Sequence, residues 1–154
     1  MTVNGDAALI RFTGALDEGF ELNGTLLAPY KSITLDLAAI GRVTSKGIRE
    51  WILWVSRLDT SKSYKIIQCP RIFVTQANLV QGMIPDWMTV HSVEVPFYCE
   101  NCEHSFSHIF EVKPNQDASS MVTEHVCDKC RQVAELDAIP ERYFAFMKRK
   151  SEGK

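Results

Sequence analysis

Two Cys-x-x-Cys pairs are the strongest chemical signal in this sequence. Cys99 and Cys102 form the first pair, Cys127 and Cys130 form the second, and 24 residues lie between the pairs. Two thiolates on one tight turn can reach the same ion at a Zn–S distance of about 2.3 Å, and a second turn completes a tetrahedral shell. The spacing therefore predicts a structural Zn²⁺ site that is closed by four cysteines.

The residues around the cysteine pairs favour a zinc ribbon. Strand-forming residues precede each pair, ending in Tyr98 and Val126, and a module this small depends on its metal for much of its folding energy. Two alternatives stay open: His104 or His125 replaces one cysteine as a ligand, or the pairs do redox or disulfide chemistry. A redox pair usually opens a helix, whose N-terminus lowers the pKa of a thiol, and neither pair precedes an obvious helix. The fifth cysteine, Cys69, ends a predicted strand and is expected to be a small core residue.

Length, composition and charge limit the class of protein. The chain has 154 residues, which suits one domain with a small added module. With 45% hydrophobic and 23% charged residues it has ordinary globular composition, which excludes a wholly disordered chain. No secretory signal opens the sequence, and its longest strongly apolar run, 51–55, is too short to cross a bilayer. We therefore expect a soluble, cytoplasmic protein without a membrane partner.

Hydrophobic periodicity predicts an α/β layer sandwich in the first two thirds of the chain. Alternating apolar and polar residues indicate strands, and apolar residues at helical spacing indicate helices between them. Gly14 is expected to end the first strand. The predicted strands span 8–13, 33–37, 64–69 and 91–98, and the predicted helices span 17–29, about 45–58, and 70–80.

Three short motifs follow one another in this region: IRFTGALD at 10–17, ITLDL at 33–37 and VTSKGI at 43–48. Their order and spacing over residues 7–98 resemble the STAS domains of sulphate-transporter tails and anti-sigma-factor antagonists. The resemblance implies a STAS-like mixed sheet with helices packed on it. It also implies a noncatalytic scaffold in bacterial signalling, with a protein partner of the kinase or anti-sigma type.

Ser45 lies where the switching members of that family are phosphorylated by a partner kinase, at the first Ser of Asp-Ser-Ser-Gly. Here Thr44 replaces the Asp and Lys46 replaces the second hydroxyl residue. A phosphate on Ser45 would lie at a helix N-terminus near Lys46 and Arg49, where negative charge is favoured. Alternatively, Ser45 is simply the N-cap, a role that Thr44 can also take. A phosphorylation-switched antagonist and an unswitched scaffold both stay open.

The candidate partner surface consists of Thr44, Lys46, Arg49 and Trp54. Trp54 lies off the apolar stripe of its helix, and exposed tryptophans are over-represented among the energetic hot spots of interfaces. The alternative is that Trp54 packs under the C-terminal segment of its own chain.

The predicted organisation is a STAS-like domain at 1–96, a zinc ribbon at 97–135, a C-terminal helix within 136–150 and a frayed tail at 151–154. The C-terminal helix carries enough apolar residues to need a docking surface. It either packs back on its own sheet or joins a homodimer interface.

Catalytic motifs are missing from the sequence, so we expect no enzyme. It contains no Gly-x-Ser-x-Gly turn, phosphate-binding glycine loop or His-Glu-x-x-His helix. Zinc ribbons often bind nucleic acid, which is the contrasting hypothesis. From Cys99 onward, however, eight Lys and Arg face ten Asp and Glu, and the basic residues cluster only at 148–150. This charge balance disfavours a nucleic-acid interface, which normally has a basic face.

Overall fold

The computed structural model describes residues 1–113 and 116–148, which form two β-sheets with helices packed on them. The predicted α/β class is confirmed. No helix in these ranges is long and apolar enough to span a membrane. The helices are α1 (Ser45–Val55), α2 (Arg71–Leu79), α3 (Pro140–Tyr143) and α4 (Ala145–Lys148), with 3-10 turns at Gly24–Leu27 and Ala118–Ser120.

The first sheet has five strands in sequential order, of which the first is antiparallel and the others are parallel. Right-handed crossovers between neighbouring parallel strands place their connecting helices on one face. The rings of Trp51 in α1 and Phe73 in α2 are accordingly 5.1 Å apart. Ile33, Leu35 and Leu37 share one face of the third strand and are fully buried, so the core lies on this face. The strands are β1 (Thr2–Asn4), β2 (Ala7–Leu16), β3 (Ser32–Val43), β4 (Ser63–Ile67) and β5 (Met88–Val90).

The paired strands β2 and β3 extend well beyond the predicted ranges 8–13 and 33–37. Gly14 has a φ of 88°, and the register with β3 shifts between Gly14 and Ala15. Glycine adopts positive φ without a steric cost, so Gly14 can remain inside a strand. The extra residue at this register shift is Gly41, which forms a bulge in β3 opposite Gly14 and Ala15. The prediction that Gly14 ends the strand is therefore wrong, because β2 continues to Leu16.

The predicted helix over 17–29 is wrong. This segment consists of turns and the single 3-10 turn at Gly24–Leu27. The side-chain oxygens of Asp17 and Asn23 accept hydrogen bonds from main-chain N–H groups two residues further on, at 2.9 and 3.0 Å. Such local bonds compete with the helical pattern and hold the chain in turns.

The chain passes from the first sheet to a second one around His91. The predicted strand 91–98 corresponds to the next strand, β6, which spans Ser92–Cys99. This strand is separate from β5 and belongs to the second sheet. An isolated parallel bridge between Cys69 and Val93 ties the end of the first sheet to β6. The two sheets therefore share one continuous hydrophobic core.

The second sheet consists of β6 and three further strands, β7 (His104–Glu111), β8 (Glu124–Val126) and β9 (Val133–Leu136). It is antiparallel, with the order β7-β6-β9-β8. The sheet begins at Ser92, inside the range 1–96 predicted for the STAS-like domain, and ends at Leu136, one residue beyond the range 97–135 predicted for the zinc ribbon.

The C-terminal residues pack in cis. Instead of one helix within 136–150, the chain forms the short helices α3 and α4 with Phe144 between them. Tyr143, Phe144 and Phe146 are buried in the common core, and the Tyr143 hydroxyl donates to the Glu94 carbonyl at 2.6 Å. The basic run 148–150, apart from the main chain of Lys148, and the predicted frayed tail 151–154 lie outside the described residues.

Asn78 of α2 joins the C-terminal helices to the rest of the protein. Its Nδ2 donates to the carbonyls of Arg142 and Tyr143 at 3.0 and 2.8 Å, and its Oδ1 accepts from Phe146 N at 2.8 Å. We expect Asn78→Ala to lower the free energy of unfolding by about 1–3 kcal/mol in urea denaturation, because main-chain groups lose their partners. Gln81→Ala, at an exposed position just after α2, should change it by less than about 0.5 kcal/mol. Equal stability of the two variants would contradict this role.

Candidate metal centre

The four paired cysteines meet at one end of the second sheet. Cys99 ends β6 and Cys102 lies in the turn to β7, while Cys127 follows β8 and Cys130 lies in the turn to β9. Because β6 and β9 pair in antiparallel orientation, the two turns lie side by side.

The sulfur positions fit a tetrahedral metal shell. The Sγ atoms of Cys99 and Cys130 are 3.5 Å apart, those of Cys102 and Cys127 are 3.7 Å apart, and all four lie within 4.8 Å of one another. Four sulfurs at about 2.3 Å from a tetrahedral Zn²⁺ would be about 3.8 Å apart. The cluster could therefore hold one metal ion, and four protein ligands would leave no coordination position for a substrate.

Each cysteine turn depends on a residue in the left-handed region. Glu103 and Arg131, which directly follow the second cysteine of each pair, have φ values of 53° and 64°. In the second turn, Arg131 N donates to the Cys127 carbonyl at 3.1 Å and Cys127 N donates to the Gln132 carbonyl at 2.8 Å. The sequence carried no signal for these positions, since glycine is the usual residue at positive φ.

The clustered thiols differ in acidity. Burial raises the pKa of Cys99, and burial together with hydrogen bonds to the neighbouring thiols raises the pKa of Cys102 to about 12. A main-chain hydrogen bond from Gln132 is the largest of the effects that lower the pKa of Cys130 to about 6. A metal binds the thiolate forms, so its binding releases protons and weakens as the pH falls.

Histidines surround the cluster without joining it. The metal-capable group in the described ranges consists of the four cysteines. His104 Nε2 lies 2.9 Å from Asp128 Oδ1, which connects the first turn to the second. The ring of His125 packs 4.6 Å from His108 and 5.4 Å from Phe97, between ring centroids. This packing favours four cysteine ligands over a mixed shell.

Cys69 stands apart from the cluster, as expected for a core residue. It is fully buried among apolar side chains, and burial raises the pKa of its thiol far above the usual range. The prediction that it is a core residue is confirmed.

The N-terminus of α1 carries three residues of the candidate partner surface, Thr44, Lys46 and Arg49. It also carries the candidate phosphorylation site, Ser45. Thr44 is the N-cap, because its Oγ1 accepts from Gly47 N at 3.1 Å, so the interpretation of Ser45 as the cap is wrong. Ser45, Lys46 and Arg49 are exposed in the first turns of the helix. Their side chains are therefore accessible from solvent.

Trp54 does not belong to that surface. It is only 7% exposed, and its ring centroid lies 6.2, 5.8 and 5.2 Å from those of Phe12, Phe20 and Trp51. The prediction that Trp54 faces away from the core is wrong, because Phe20 in the turn-rich segment covers this side of α1 and widens its buried stripe. Leu53, at 37% exposure, is the more accessible of the two neighbours.

Comparison of the chain with family models, with curated proteins and with solved structures finds no match. The resemblance to STAS domains therefore stays a prediction. What the structure establishes is a mixed α/β fold with a four-cysteine cluster that could hold a metal ion.

Proposed function

We propose that the chain is a noncatalytic protein-interaction scaffold of the STAS type in bacterial signalling, with a second sheet held together by a structural zinc ion. Its docking surface is the exposed first turn of α1. The observation that carries this proposal is the division of roles at that turn: Thr44 caps the helix, and Ser45 beside it is exposed.

The geometry around that turn supports a rigid docking surface. Thr44 N donates to the Leu16 carbonyl at 2.9 Å, which fixes the start of α1 against the end of β2. Lys46 and Arg49 present positive charge from the helix, and Lys46 makes a long ion pair with Glu18, at 4.0 Å. A fixed main chain with accessible charged side chains suits recognition of a partner with complementary charge.

Zinc is the metal we assign to the cysteine cluster. Thiolate ligands in a tetrahedral S₄ arrangement favour Zn²⁺ or iron–sulfur centres, and the cluster has the size for a single ion. Cys99, Cys102, Cys127 and Cys130 would hold the ion, which would supply cross-linking rather than catalysis. It would fix the ends of β6 and β8 to each other.

A phosphorylation switch at Ser45 is the second candidate function. Its exposure at the start of α1, with Lys46 and Arg49 exposed nearby, is the observation that favours it. A phosphate there would be stabilised by the free N–H groups of the helix and by the two cations. The phosphate would also change the charge that a partner meets at this turn from positive to negative.

A pull-down from the native lysate tests the docking surface. Arg49→Glu should capture at least tenfold less partner than the wild type does, because like charges at a contact oppose binding. The matched control is Lys129→Glu, at an exposed position in the second cysteine turn, which should capture as much as the wild type. Equal capture by Arg49→Glu would contradict the assignment of this surface. Captured nucleic acid that dissociates steeply with salt would instead favour the nucleic-acid hypothesis.

Two substitutions at Ser45 separate the scaffold from the switch. A switch predicts that Ser45→Glu loses the partner while Ser45→Ala keeps it. An unswitched scaffold predicts that both variants keep it. Circular dichroism spectra equal to that of the wild type would show that the variants are folded.

A further inference from the structure

We propose that the cavity between α1 and the segment 20–28 binds an uncharged, largely apolar small molecule that carries a hydrogen-bond acceptor such as a carbonyl group. The cavity has a volume of about 830 Å³, within the range of roughly 300–1,000 Å³ that small-molecule sites occupy. This inference is independent of the proposed docking surface, which lies at the other end of α1. Apolar and aromatic side chains that line the cavity include those of Phe20, Leu22, Leu53, Trp54, Leu58 and Tyr64.

An unpaired donor belongs to one of the lining residues. Trp54 is 93% buried, and its Nε1 has no hydrogen-bond partner within residues 1–113 and 116–148. The neighbouring Trp51 on the same helix donates from its Nε1 to the Met83 carbonyl at 2.8 Å. A buried N–H without a partner costs free energy, and native structures usually satisfy such a group with protein, water or a ligand. The difference between the two tryptophans therefore points to a ligand beside Trp54.

A second polar group lines the same cavity. Tyr64 is 98% buried as a residue, and its hydroxyl makes no hydrogen bond with the described part of the chain. Burial raises the pKa of this phenol, and the nearby carboxylate of Asp59 adds to the effect. The hydroxyl therefore stays protonated and can donate as well as accept. Trp54 thus carries a buried unpaired donor, and Tyr64 carries a hydroxyl that has no partner in the described part of the chain; both residues line the same cavity.

The charges around the cavity favour an uncharged ligand. Glu21, Glu50 and Asp59 line it together with Arg57 and Lys62, so the formal charges sum to −1. Lys62 is already engaged, because its Nζ donates to two main-chain carbonyls at 2.8 Å each. An anion would meet an excess of carboxylates, whereas a carbonyl group matches the neutral donors of Trp54 and Tyr64.

The indole N–H resonances of the wild type test the proposal directly. Acetanilide, benzamide and quinolin-2-one serve as neutral probes, and the Trp54→Phe spectrum identifies the Trp54 resonance. At least one probe should shift the Trp54 resonance with a Kd on the order of 1 mM, as expected for a ligand of about ten heavy atoms. The Trp51 resonance, from an N–H that is already bonded to Met83, is the internal control. Benzoate should bind at least fivefold more weakly than benzamide.

Substitution of Tyr64 gives the second readout. Tyr64→Phe should weaken binding of the same probe about fivefold, the effect of losing one neutral hydrogen bond. It should fold normally, because the hydroxyl has no partner among the residues that the structure describes. Tyr98→Phe removes a hydroxyl from an exposed site on the second sheet and should leave the affinity unchanged. An unmoved Trp54 resonance with all three probes, or equal affinity of Tyr64→Phe and wild type, would overturn the proposal.

Discussion

Replacement of Cys127 by serine is expected to release the metal and to unfold the second sheet. Cys127 is fully buried, and its sulfur lies 3.7 Å from that of Cys102. Structural zinc contributes about 10–16 kcal/mol to the folding of zinc-finger peptides, whereas whole domains are stable by only about 5–15 kcal/mol. The free energy of unfolding should therefore fall by more than about 5 kcal/mol. Hydrogen exchange should show lost protection in β6, β7, β8 and β9, and elemental analysis should show lost metal.

Cys69→Ala is the matched control for that experiment. It removes a thiol that is equally buried but lies outside the cluster. This variant leaves a small cavity in the core and should lose modest stability, but it should keep the full metal content. A Cys127→Ser protein that keeps both its metal and the protection of the second sheet would contradict the proposed centre.

Substitution of Gly47 by alanine is the second change with a large expected effect. A Cβ at this position would overlap the main-chain carbonyl of Leu16 and would lie 2.6 Å from Asp17 N. Both neighbours are main-chain atoms in the junction between β2 and α1, so neither can move aside cheaply. Alanine normally stabilises a helix relative to glycine by about 1 kcal/mol. Here we expect the free energy of unfolding to fall by about 3 kcal/mol, as for an overpacked core.

Gly41→Ala is the control for the Gly47 prediction. No atom of the described residues lies within 4 Å of a Cβ built at Gly41, so its substitution should change stability by less than about 0.5 kcal/mol. Urea denaturation of the two variants gives the comparison. A Gly47→Ala protein as stable as Gly41→Ala would mean that α1 does not start against the end of β2.

The parts of the fold that sequence reasoning predicted have strong local signals. The apolar stripe of α1 is readable from helical spacing, and the start of the helix at Thr44 or Ser45 is readable from their capping side chains. The approach of the two cysteines within each Cys-x-x-Cys pair is readable because each pair needs only its own tight turn. In both cases, residues close in the chain determine the geometry.

The parts that were wrong depend on contacts between distant segments. Gly14 is a strand breaker by composition, yet pairing with β3, which bulges at Gly41, keeps it inside β2. The run 91–98 corresponds to one strand, β6, as its alternation predicts, but that strand belongs to the second sheet and not to the first. Trp54 lies off the helical stripe, and its burial requires Phe20 from a segment without regular periodicity. None of these outcomes follows from local pattern.

X-ray absorption at the metal edge of the purified, untreated protein tests the central claim most directly. The account predicts one zinc ion per chain, bound by four sulfur atoms at about 2.3 Å and by no nitrogen. Elemental analysis of the same sample gives the stoichiometry. A folded protein without metal, or a shell with a histidine nitrogen in place of a cysteine sulfur, would contradict it.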